Sequence, residues 1–261
     1  MPMFLRLRHP LGAISGLLLT ASFLAACDRT DARRVATVTT PPATSAPATR
    51  DVDRSGVWEA EIAAIEARQA ARPVPANAVL FVGSSSIRMW DTLERDFAGT
   101  PVINAGFGGS RLADAARYAD RIILPYRPRA VVIYSGENDL AAGGTPERAL
   151  VDFAALVAAI RADLPGAPVV YISMKPSPAR WDLADRFRAA NALIRARIAA
   201  DPLLSYVDVW PALLGPDGRP RPELYLADGL HLNPAGYAAW TAVIRDHLAG
   251  RGLLEAQATA P

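Results

Sequence analysis

Five short apolar segments alternate along the chain with longer segments of helical periodicity, and this alternation constrains the fold more than any other feature. The apolar segments are rich in β-branched and aromatic residues and lack polar alternation, which is typical of strands buried on both faces of a parallel sheet. They cover residues 78–82, 101–103, 130–134, 168–172 and 206–209. The helical segments cover residues 58–71, 112–124, 146–164, 183–200 and 234–248. The sequence therefore predicts an α/β fold, a three-layer α/β/α sandwich around a central parallel sheet.

The charged residues exclude one class of function. The chain of 261 residues carries 28 basic and 26 acidic side chains, and the excess of two belongs to Arg6 and Arg8 in the first 26 residues. The remainder is formally neutral, so it lacks the basic surface with which proteins bind phosphate backbones. With 51% hydrophobic and 21% charged residues, the chain can bury a core. We therefore expect a folded protein with no nucleic-acid partner.

The start of the chain has the composition of a secretory signal peptide. Arg6 and Arg8 precede an apolar run over residues 11–26, which is too short to cross a bilayer comfortably. The run ends in Leu-Ala-Ala-Cys, which resembles the lipobox of bacterial lipoproteins, and Cys27 is the only cysteine. The resemblance predicts that Cys27 is acylated and anchors the protein to a membrane of the bacterial cell envelope, on the periplasmic side. The alternative is a plain signal peptide whose cleavage site includes a cysteine.

The composition changes again after the cysteine. Residues 28–54 are rich in Thr, Ala, Pro and Arg, which is typical of a disordered tether. The predicted organisation is therefore a signal peptide over residues 1–26, a lipidated cysteine and tether over residues 27–54, and one folded domain over residues 55–261.

In a parallel α/β sheet, ligands bind beyond the carboxyl ends of the strands, so polar residues at these positions are candidates for function. The first predicted strand is followed by Gly83, Ser84, Ser85 and Ser86. A hydroxyl in a tight strand-to-helix turn is a candidate nucleophile, because amide N–H groups at the helix start can stabilise a developing anion. The alternative is a serine-rich turn that caps a helix. The spacing excludes the G-x-S-x-G elbow and the phosphate-binding P-loop.

Two further polar segments follow the second and third predicted strands. The glycine-rich segment 104–110 begins at Asn104 and includes Gly109. Such a segment either presents a backbone N–H to a ligand or forms a flexible turn. Residues 136–139 are Gly-Glu-Asn-Asp, in which Asn138 offers a neutral amide donor. The alternative for this segment is an ordinary turn.

The histidines narrow the choice of a general base. His9 lies in the signal segment, which leaves His231 and His247. His231 follows Asp228 by three residues, and a carboxylate bound to one imidazole nitrogen leaves the other nitrogen free to accept a proton. His247 lies near the end of the last predicted helix, where a positive charge complements the helix dipole, so we expect a structural role for it. The domain lacks the ligand clusters of a metal site, so no metal is predicted.

Taken in order, these segments resemble the sequence blocks of the SGNH hydrolases, also called GDSL-type esterases and lipases. The family blocks are Gly-Asp-Ser after a strand, Asn with Gly five residues later, Gly-x-Asn-Asp, and Asp-x-x-His. The matching residues are Gly83 to Ser85, Asn104 with Gly109, Gly136 to Asp139, and Asp228 to His231. The resemblance extends from about residue 77 to residue 248. It implies a flavodoxin-like fold and cofactor-free hydrolysis of esters through an acyl-enzyme.

The resemblance also implies a role for each matching residue. Ser85 corresponds to the nucleophile, His231 to the base and Asp228 to the carboxylate that orients the base. The oxyanion of the reaction would be bound by the backbone N–H groups of Ser85 and Gly109 and by the side-chain amide of Asn138.

One position departs from the family pattern. Ser84 stands where the family usually carries Asp, which is a structural neighbour of the nucleophile and not a member of the triad. Because of this departure, the block can be aligned with the family pattern in more than one way, so Ser86 remains an alternative to Ser85 as the nucleophile.

The substrate is indicated only by weaker features. Residues 175–181 follow the fourth predicted strand and contain the only lysine, Lys175, and an aromatic residue, Trp181. Such a segment either contacts a sugar ring or an anion, or is an ordinary packed loop. The sequence shows no long apolar lid, which favours short acyl groups, such as acetyl, on a small-molecule, carbohydrate or other envelope ester. The alternatives are a lysophospholipase or thioesterase of the same family, an envelope O-acyltransferase, and a non-catalytic carbohydrate-binding lipoprotein.

Overall fold

The computed structural model of the chain describes residues 56–71 and 73–254. The predicted signal peptide, the predicted lipidation site Cys27 and the predicted tether lie outside these residues. Over the described ranges, no helix is both long enough and apolar enough to cross a membrane.

The strands of the described fold form one parallel sheet. They are β1 (Val79–Gly83), β2 (Val102–Gly106), β3 (Ala130–Tyr134), β4 (Val169–Ile172) and β5 (Leu204–Val207). The strand order is β2-β1-β3-β4-β5, and each neighbouring pair is parallel. All residues of β1, β3 and β4 are buried, which confirms the prediction of strands covered on both faces. This order places the topological switch point, where ligands bind in such folds, between β1 and β3.

Two strands differ from their predicted limits by more than one residue. β2 continues to Gly106, into the glycine-rich segment 104–110 that was predicted to follow the strand. Asn104 can lie in this strand because its Nδ2 donates to the carbonyl of Ile87 at 2.7 Å and its Oδ1 accepts from the N–H of Gly106 at 3.0 Å. β5 begins and ends two residues earlier than predicted. Its polar residue Ser205 is buried in the strand because the hydroxyl pairs with Nε2 of His247 at 3.0 Å.

Helices connect the strands and cover both faces of the sheet. The α-helices of the described residues are α1 (Glu59–Ala70), α2 (Ser85–Arg88), α3 (Leu93–Asp96), α4 (Leu112–Arg117), α5 (Ala119–Ile122), α6 (Glu137–Ala141), α7 (Pro146–Asp163), α8 (Ala184–Ala199) and α9 (Pro234–Gly250). Short 3-10 segments occur at Leu124–Tyr126, Pro178–Leu183, Pro211–Leu213 and Pro222–Leu224. Four of the five predicted helices, α1, α7, α8 and α9, end within two residues of their predicted limits. α9 begins as predicted, with the Asn233 side chain accepting from the N–H of Gly236 at 3.1 Å.

The fifth predicted helix, over residues 112–124, is interrupted. The chain forms α4, leaves helical geometry at Tyr118 (φ −98°, ψ 9°), and continues as α5 and a 3-10 turn. Pro125 lies in that turn, where its missing N–H and its effect on residue 124 prevent α-helical geometry from continuing beyond α5. The ring of Tyr118 is buried edge-to-face against Phe107 at a centroid distance of 6.0 Å. Apolar spacing predicts the helical segments, but it does not predict an interruption within one of them.

Side chains of β1 alternate between two apolar cores, one on each face of the sheet. Leu80 and Val82 pack with apolar residues of α1, α4, α5, α7 and α8. Val79 and Phe81 pack with apolar residues of α2, α3 and α9. This division confirms the predicted three-layer α/β/α architecture, in which both faces of the sheet are covered by helices.

Candidate active site

The turn after β1 carries the predicted serines and is fixed by a close backbone approach. Gly83 has a φ of +148°, and a Cβ at this position would lie 1.8 Å from the carbonyl oxygen of Tyr134 on β3. Only glycine tolerates this approach. The next N–H, that of Ser84, donates to the same carbonyl at 3.1 Å. The end of β1 is therefore tied to the end of β3, and Ser85 begins α2 at the switch point of the sheet.

Ser85 is linked to the predicted histidine and aspartate by a continuous chain of hydrogen bonds. Its Oγ lies 2.9 Å from Nε2 of His231, and Nδ1 of His231 lies 2.6 Å from Oδ2 of Asp228. Ser85 is half-buried, whereas Ser84 and Ser86 are only 4% and 2% exposed. The structure thus brings together the three residues that the sequence analysis grouped, and it places the alternative hydroxyl of Ser86 in the interior.

The loop before α9 holds Asp228 in its ionised form. Oδ1 of Asp228 accepts hydrogen bonds from the backbone N–H groups of Leu230 at 2.9 Å and His231 at 3.0 Å. Burial acts to raise the pKa of Asp228, but these bonds and the contact with the imidazole outweigh it and lower the pKa to about 2. An ionised carboxylate at Nδ1 favours the tautomer that carries its proton there, which leaves the lone pair of Nε2 directed at Ser85.

The two segments that supply Ser85 and His231 are joined by aromatic packing beneath the site. The hydroxyl of Tyr237, on the first turn of α9, donates to the carbonyl of Ser86 at 2.9 Å. The ring of Tyr237 stacks on the buried ring of Trp90, just after α2, at 5.3 Å. These contacts fix α9 against α2, and with it the distance between the serine and the imidazole.

The predicted anion donors lie at the carboxyl ends of β1, β2 and β3. No hydrogen-bond partner is found, within the described residues, for the backbone N–H of Ser85 or of Gly109. Gly109 is exposed and has a φ of +69°. Nδ2 of Asn138 donates to the carbonyl of Ser110 at 3.0 Å, which uses one of its two hydrogens and leaves the other for a ligand. This bond places the Asn138 amide beside the loop that contains Gly109.

The glycine loop, which contains Gly108 and Gly109, is held in place by residues at the start of α1, and the sequence did not predict these contacts. Nε1 of Trp58 donates to the carbonyl of Gly108 at 2.5 Å, and the N–H of Gly108 donates to Oε2 of Glu61 at 2.7 Å. Both backbone polar groups of Gly108, the residue before Gly109, are therefore hydrogen-bonded. Only the helical pattern of α1 was visible in the sequence, and no local signal links it to a loop 47 residues away.

A buried ion pair lies directly behind Asn138. Nζ of Lys175 lies 3.0 and 3.2 Å from the carboxylate oxygens of Glu137, and the hydroxyl of Tyr134 donates to the same carboxylate. Lys175 is 1% exposed and Glu137 is 4% exposed. Burial lowers the pKa of Lys175, while the contact with Glu137 opposes that shift. Lys175 is therefore a packed residue that anchors the Gly136 to Asn138 turn, and it is not available to a ligand.

Trp181, the aromatic residue of the same segment, is also engaged by the protein. The guanidinium of Arg188 lies 5.4 Å from its ring centroid and that of Arg219 lies 5.3 Å from it. Arg188 also lies 4.9 Å from the ring of Trp210, so the two tryptophans and two arginines form one surface stack. Of the two interpretations of residues 175–181, the packed loop is the one that these contacts favour.

His247 is remote from this chemistry, as expected, but the expected charge is not supported. Its Nε2 pairs with the hydroxyl of Ser205, and burial, followed by the nearby Arg251, lowers its pKa. It therefore acts at neutral pH as a hydrogen-bonding residue and not as a cation at the end of α9. In the part of the chain that the structure describes, no group of three or more His, Cys, Asp or Glu side chains could hold a metal ion.

Comparison with known proteins gives a family match and similar folds. Residues 82–239, which include all the candidate site residues, match the GDSL-like Lipase/Acylhydrolase family. The chain is 28% identical over 165 residues to platelet-activating factor acetylhydrolase IB subunit alpha1 from Bos taurus, covering 61% of this chain and 69% of that protein. It is also similar in fold to a GDSL-like lipase from Bacteroides thetaiotaomicron (TM-score 0.61, 23% identity, covering 74% of this chain and 98% of that one). A family 3 carbohydrate esterase from Clostridium thermocellum gives a TM-score of 0.56 at 16% identity, covering 68% and 98%. The chain therefore belongs to the GDSL-like lipase/acylhydrolase family, the SGNH hydrolases.

Proposed function

We propose that this chain is a serine esterase that cleaves carboxylic esters through an acyl-enzyme. The observation that carries the proposal is the hydrogen-bonded chain from Ser85 through His231 to Asp228, with distances of 2.9 and 2.6 Å. A serine hydroxyl is a weak nucleophile unless an adjacent base accepts its proton, and this chain supplies an oriented base.

In the first half of the reaction, Nε2 of His231 accepts the proton of Ser85 as Oγ attacks the carbonyl carbon of the ester. The carbonyl π bond becomes an oxyanion, which the N–H groups of Ser85 and Gly109 and the free hydrogen of Asn138 Nδ2 stabilise. Asp228 stabilises the imidazolium that forms. When the tetrahedral intermediate collapses, the bond to the leaving oxygen breaks and His231 protonates the departing alcohol.

In the second half, a water molecule takes the place of the alcohol. His231 accepts a proton from this water as its oxygen attacks the acyl carbon, and the same donors bind the second oxyanion. Collapse breaks the bond between the acyl carbon and Ser85 Oγ, and the imidazolium returns its proton to Oγ. The products are the carboxylic acid and the starting enzyme.

We further propose that the acyl group is short, such as acetyl, and is carried by a carbohydrate or another envelope molecule. The side chains of His231 and Asp228 are 22% and 46% exposed, so an ester on a bulky carrier can approach them. The name of the 28% identical relative, an acetylhydrolase, favours an acetyl group as well.

The test is a panel of nitrophenyl esters of increasing acyl length, assayed with the wild-type protein and alanine variants. We expect kcat to be highest for acetyl and to fall as the acyl chain lengthens. Ser85→Ala should lower kcat by at least about 10³-fold, because the nucleophile is lost. Asn138→Ala should lower it by about 10² to 10³-fold, as for other oxyanion donors.

Ser86→Ala and Ser84→Ala are the matched controls, since each removes a neighbouring hydroxyl that the imidazole does not contact. Near-normal turnover by Ser85→Ala would overturn the assignment, and a loss below threefold for Asn138→Ala would contradict its role as a donor.

A fluorophosphonate label should modify Ser85 in the wild type. Failure to label the folded protein would favour a non-catalytic binding function. Added acceptor alcohols test for acyl transfer, and transfer in excess of hydrolysis would favour an O-acyltransferase.

For the location of the enzyme, we propose acylation of Cys27 after signal-peptide cleavage and attachment to a membrane of the cell envelope. The support is the Leu-Ala-Ala-Cys sequence at the end of the apolar run. The wild-type protein should sediment with membranes and incorporate labelled fatty acid. Cys27→Ser should abolish both, and a Cys27→Ser protein that still sediments with membranes and incorporates label would contradict the proposal.

A further inference from the structure

One arginine contacts the proposed oxyanion donor directly. Nη2 of Arg180 donates to Oδ1 of Asn138 at 3.0 Å, across 42 residues of sequence. Arg180 is half-buried, and within the described residues no carboxylate forms an ion pair with it. Its backbone (φ −128°, ψ 27°) departs from helical geometry inside the Pro178–Leu183 segment. The conformation and the contact both belong to a segment to which no catalytic residue has been assigned.

The contact determines which end of the Asn138 amide faces the glycine loop. Because Oδ1 accepts from a guanidinium, Nδ2 is directed to the carbonyl of Ser110. A flipped amide would place its oxygen against that carbonyl and its NH₂ group against the cation, and both contacts would be repulsive. A positive charge at the amide oxygen also polarises the amide, which strengthens the N–H group as a donor.

The backbone around Arg180 is fixed to the other half of the site. The N–H of Ala179 donates to the carbonyl of Gly229 at 3.0 Å, and Gly229 lies between Asp228 and His231. The hydroxyl of Tyr225 donates to the carbonyl of Pro176 at 2.6 Å. The segment that carries Arg180 is therefore bound to the loop that carries the base, while its guanidinium is bound to the oxyanion donor.

We propose that Arg180 is a positioning residue that orients and polarises Asn138 as an oxyanion donor and fixes it relative to His231. This inference rests on the proposed esterase function. It predicts that Arg180 affects the rate of the chemical step through Asn138, and that it contributes little to binding of the substrate in its ground state.

The test is a double-mutant cycle with Arg180→Ala, Asn138→Ala and the combined variant, assayed for kcat and KM with nitrophenyl acetate. Arg180→Ala should lower kcat by about tenfold or more and leave KM within about threefold. In the Asn138→Ala background, the same change should lower kcat by less than about twofold, because the group through which Arg180 acts is already absent. Arg180→Lys keeps a cation but not the planar donor, so it should recover part of the lost kcat.

Arg188→Ala is the matched control, since this arginine lies on the next helix and contacts tryptophans without touching Asn138. It should leave kcat within about twofold of the wild type. If Arg180→Ala fails to fold, Arg180→Met keeps the apolar stem and allows the same cycle. Additive losses in the cycle, or an increase in KM at unchanged kcat, would overturn the inference. Retention of activity by Ser85→Ala would instead contradict the esterase mechanism, so the two failures are distinguishable.

Discussion

The buried ion pair behind the site allows a quantitative test of how the site is supported. In Lys175→Met, a side chain of similar volume replaces the lysine, but the carboxylate of Glu137 loses its cation at 3.0 Å. The hydroxyl of Tyr134 is the remaining side-chain donor to that carboxylate within the described residues. Both members of the pair are almost completely buried, so solvent cannot replace the lost partner. Removal of one member of such a pair costs about 3–5 kcal/mol of unfolding free energy.

The measurement is equilibrium unfolding in urea, followed by two independent probes, with the midpoint and the slope fitted separately. Lys175→Met should lower the free energy of unfolding by about 3–5 kcal/mol at an unchanged slope. The double variant Lys175→Met, Glu137→Gln removes both charges and keeps an acceptor for Tyr134. It should recover most of the loss, because a buried pair contributes little beyond the mutual neutralisation of its members.

An exposed ion pair provides the comparison. Arg188 and Asp185 lie 2.8 Å apart, but their side chains are 47% and 95% exposed. Asp185→Asn should therefore change the unfolding free energy by less than about 0.5 kcal/mol. The reasoning would be refuted if Lys175→Met were within about 1 kcal/mol of the wild type, or if the double variant were no more stable than Lys175→Met.

Three further substitutions test other parts of the structure. Burial raises the pKa of Asp139 from 3.8 to about 7. The folded protein therefore binds a proton at the Asp139 carboxyl more tightly than the unfolded chain does. The resulting stabilisation, at most about 4 kcal/mol, is lost as the pH rises from about 4 to about 7. Asp139→Asn should flatten the pH dependence of the free energy of unfolding in urea over this range. An unchanged pH dependence would contradict the raised pKa of Asp139. Gly83→Ala forces a Cβ to within 1.8 Å of the Tyr134 carbonyl and should abolish folding or activity. Gly109→Ala places its added Cβ more than 4 Å from any atom beyond its chain neighbours, so it should lower the free energy of unfolding in urea by only about 1–2 kcal/mol, because of the positive φ.

The features that the sequence predicted are those encoded locally. Strands buried on both faces are visible as short apolar runs, and the start of α9 is visible as the N-cap Asn233 followed by Pro234. The histidine assignment followed from the small number of histidines and from the carboxylate three residues before His231. The interruption of the helix at Tyr118 was not predicted, because the apolar spacing continues through it.

The features that the sequence did not predict depend on contacts between distant segments. Lys175 was visible as the only lysine, but its burial depends on Glu137, which follows a different strand. In the same way, the glycine loop is bound by Glu61, 47 residues earlier. No local pattern specifies these pairs. The Lys175–Glu137 pair follows once the strand order is known, because that order makes the ends of β3 and β4 neighbours. The contact of Glu61 follows only from the packing of α1 beside the glycine loop.

The strand order also explains why the site needs all parts of the sheet. Parallel strands end at one edge, so the turns after β1, β2 and β3 bring Ser85, Gly109 and Asn138 to the same region, and the loop beyond β5 adds His231. Family blocks mark each of these positions but leave the segment after β4 without a role. That segment supplies Arg180, which contacts Asn138, while its backbone contacts the loop of His231. The segment after β4 therefore joins the two halves of the site, and its contribution could be recognised only from contacts between distant segments.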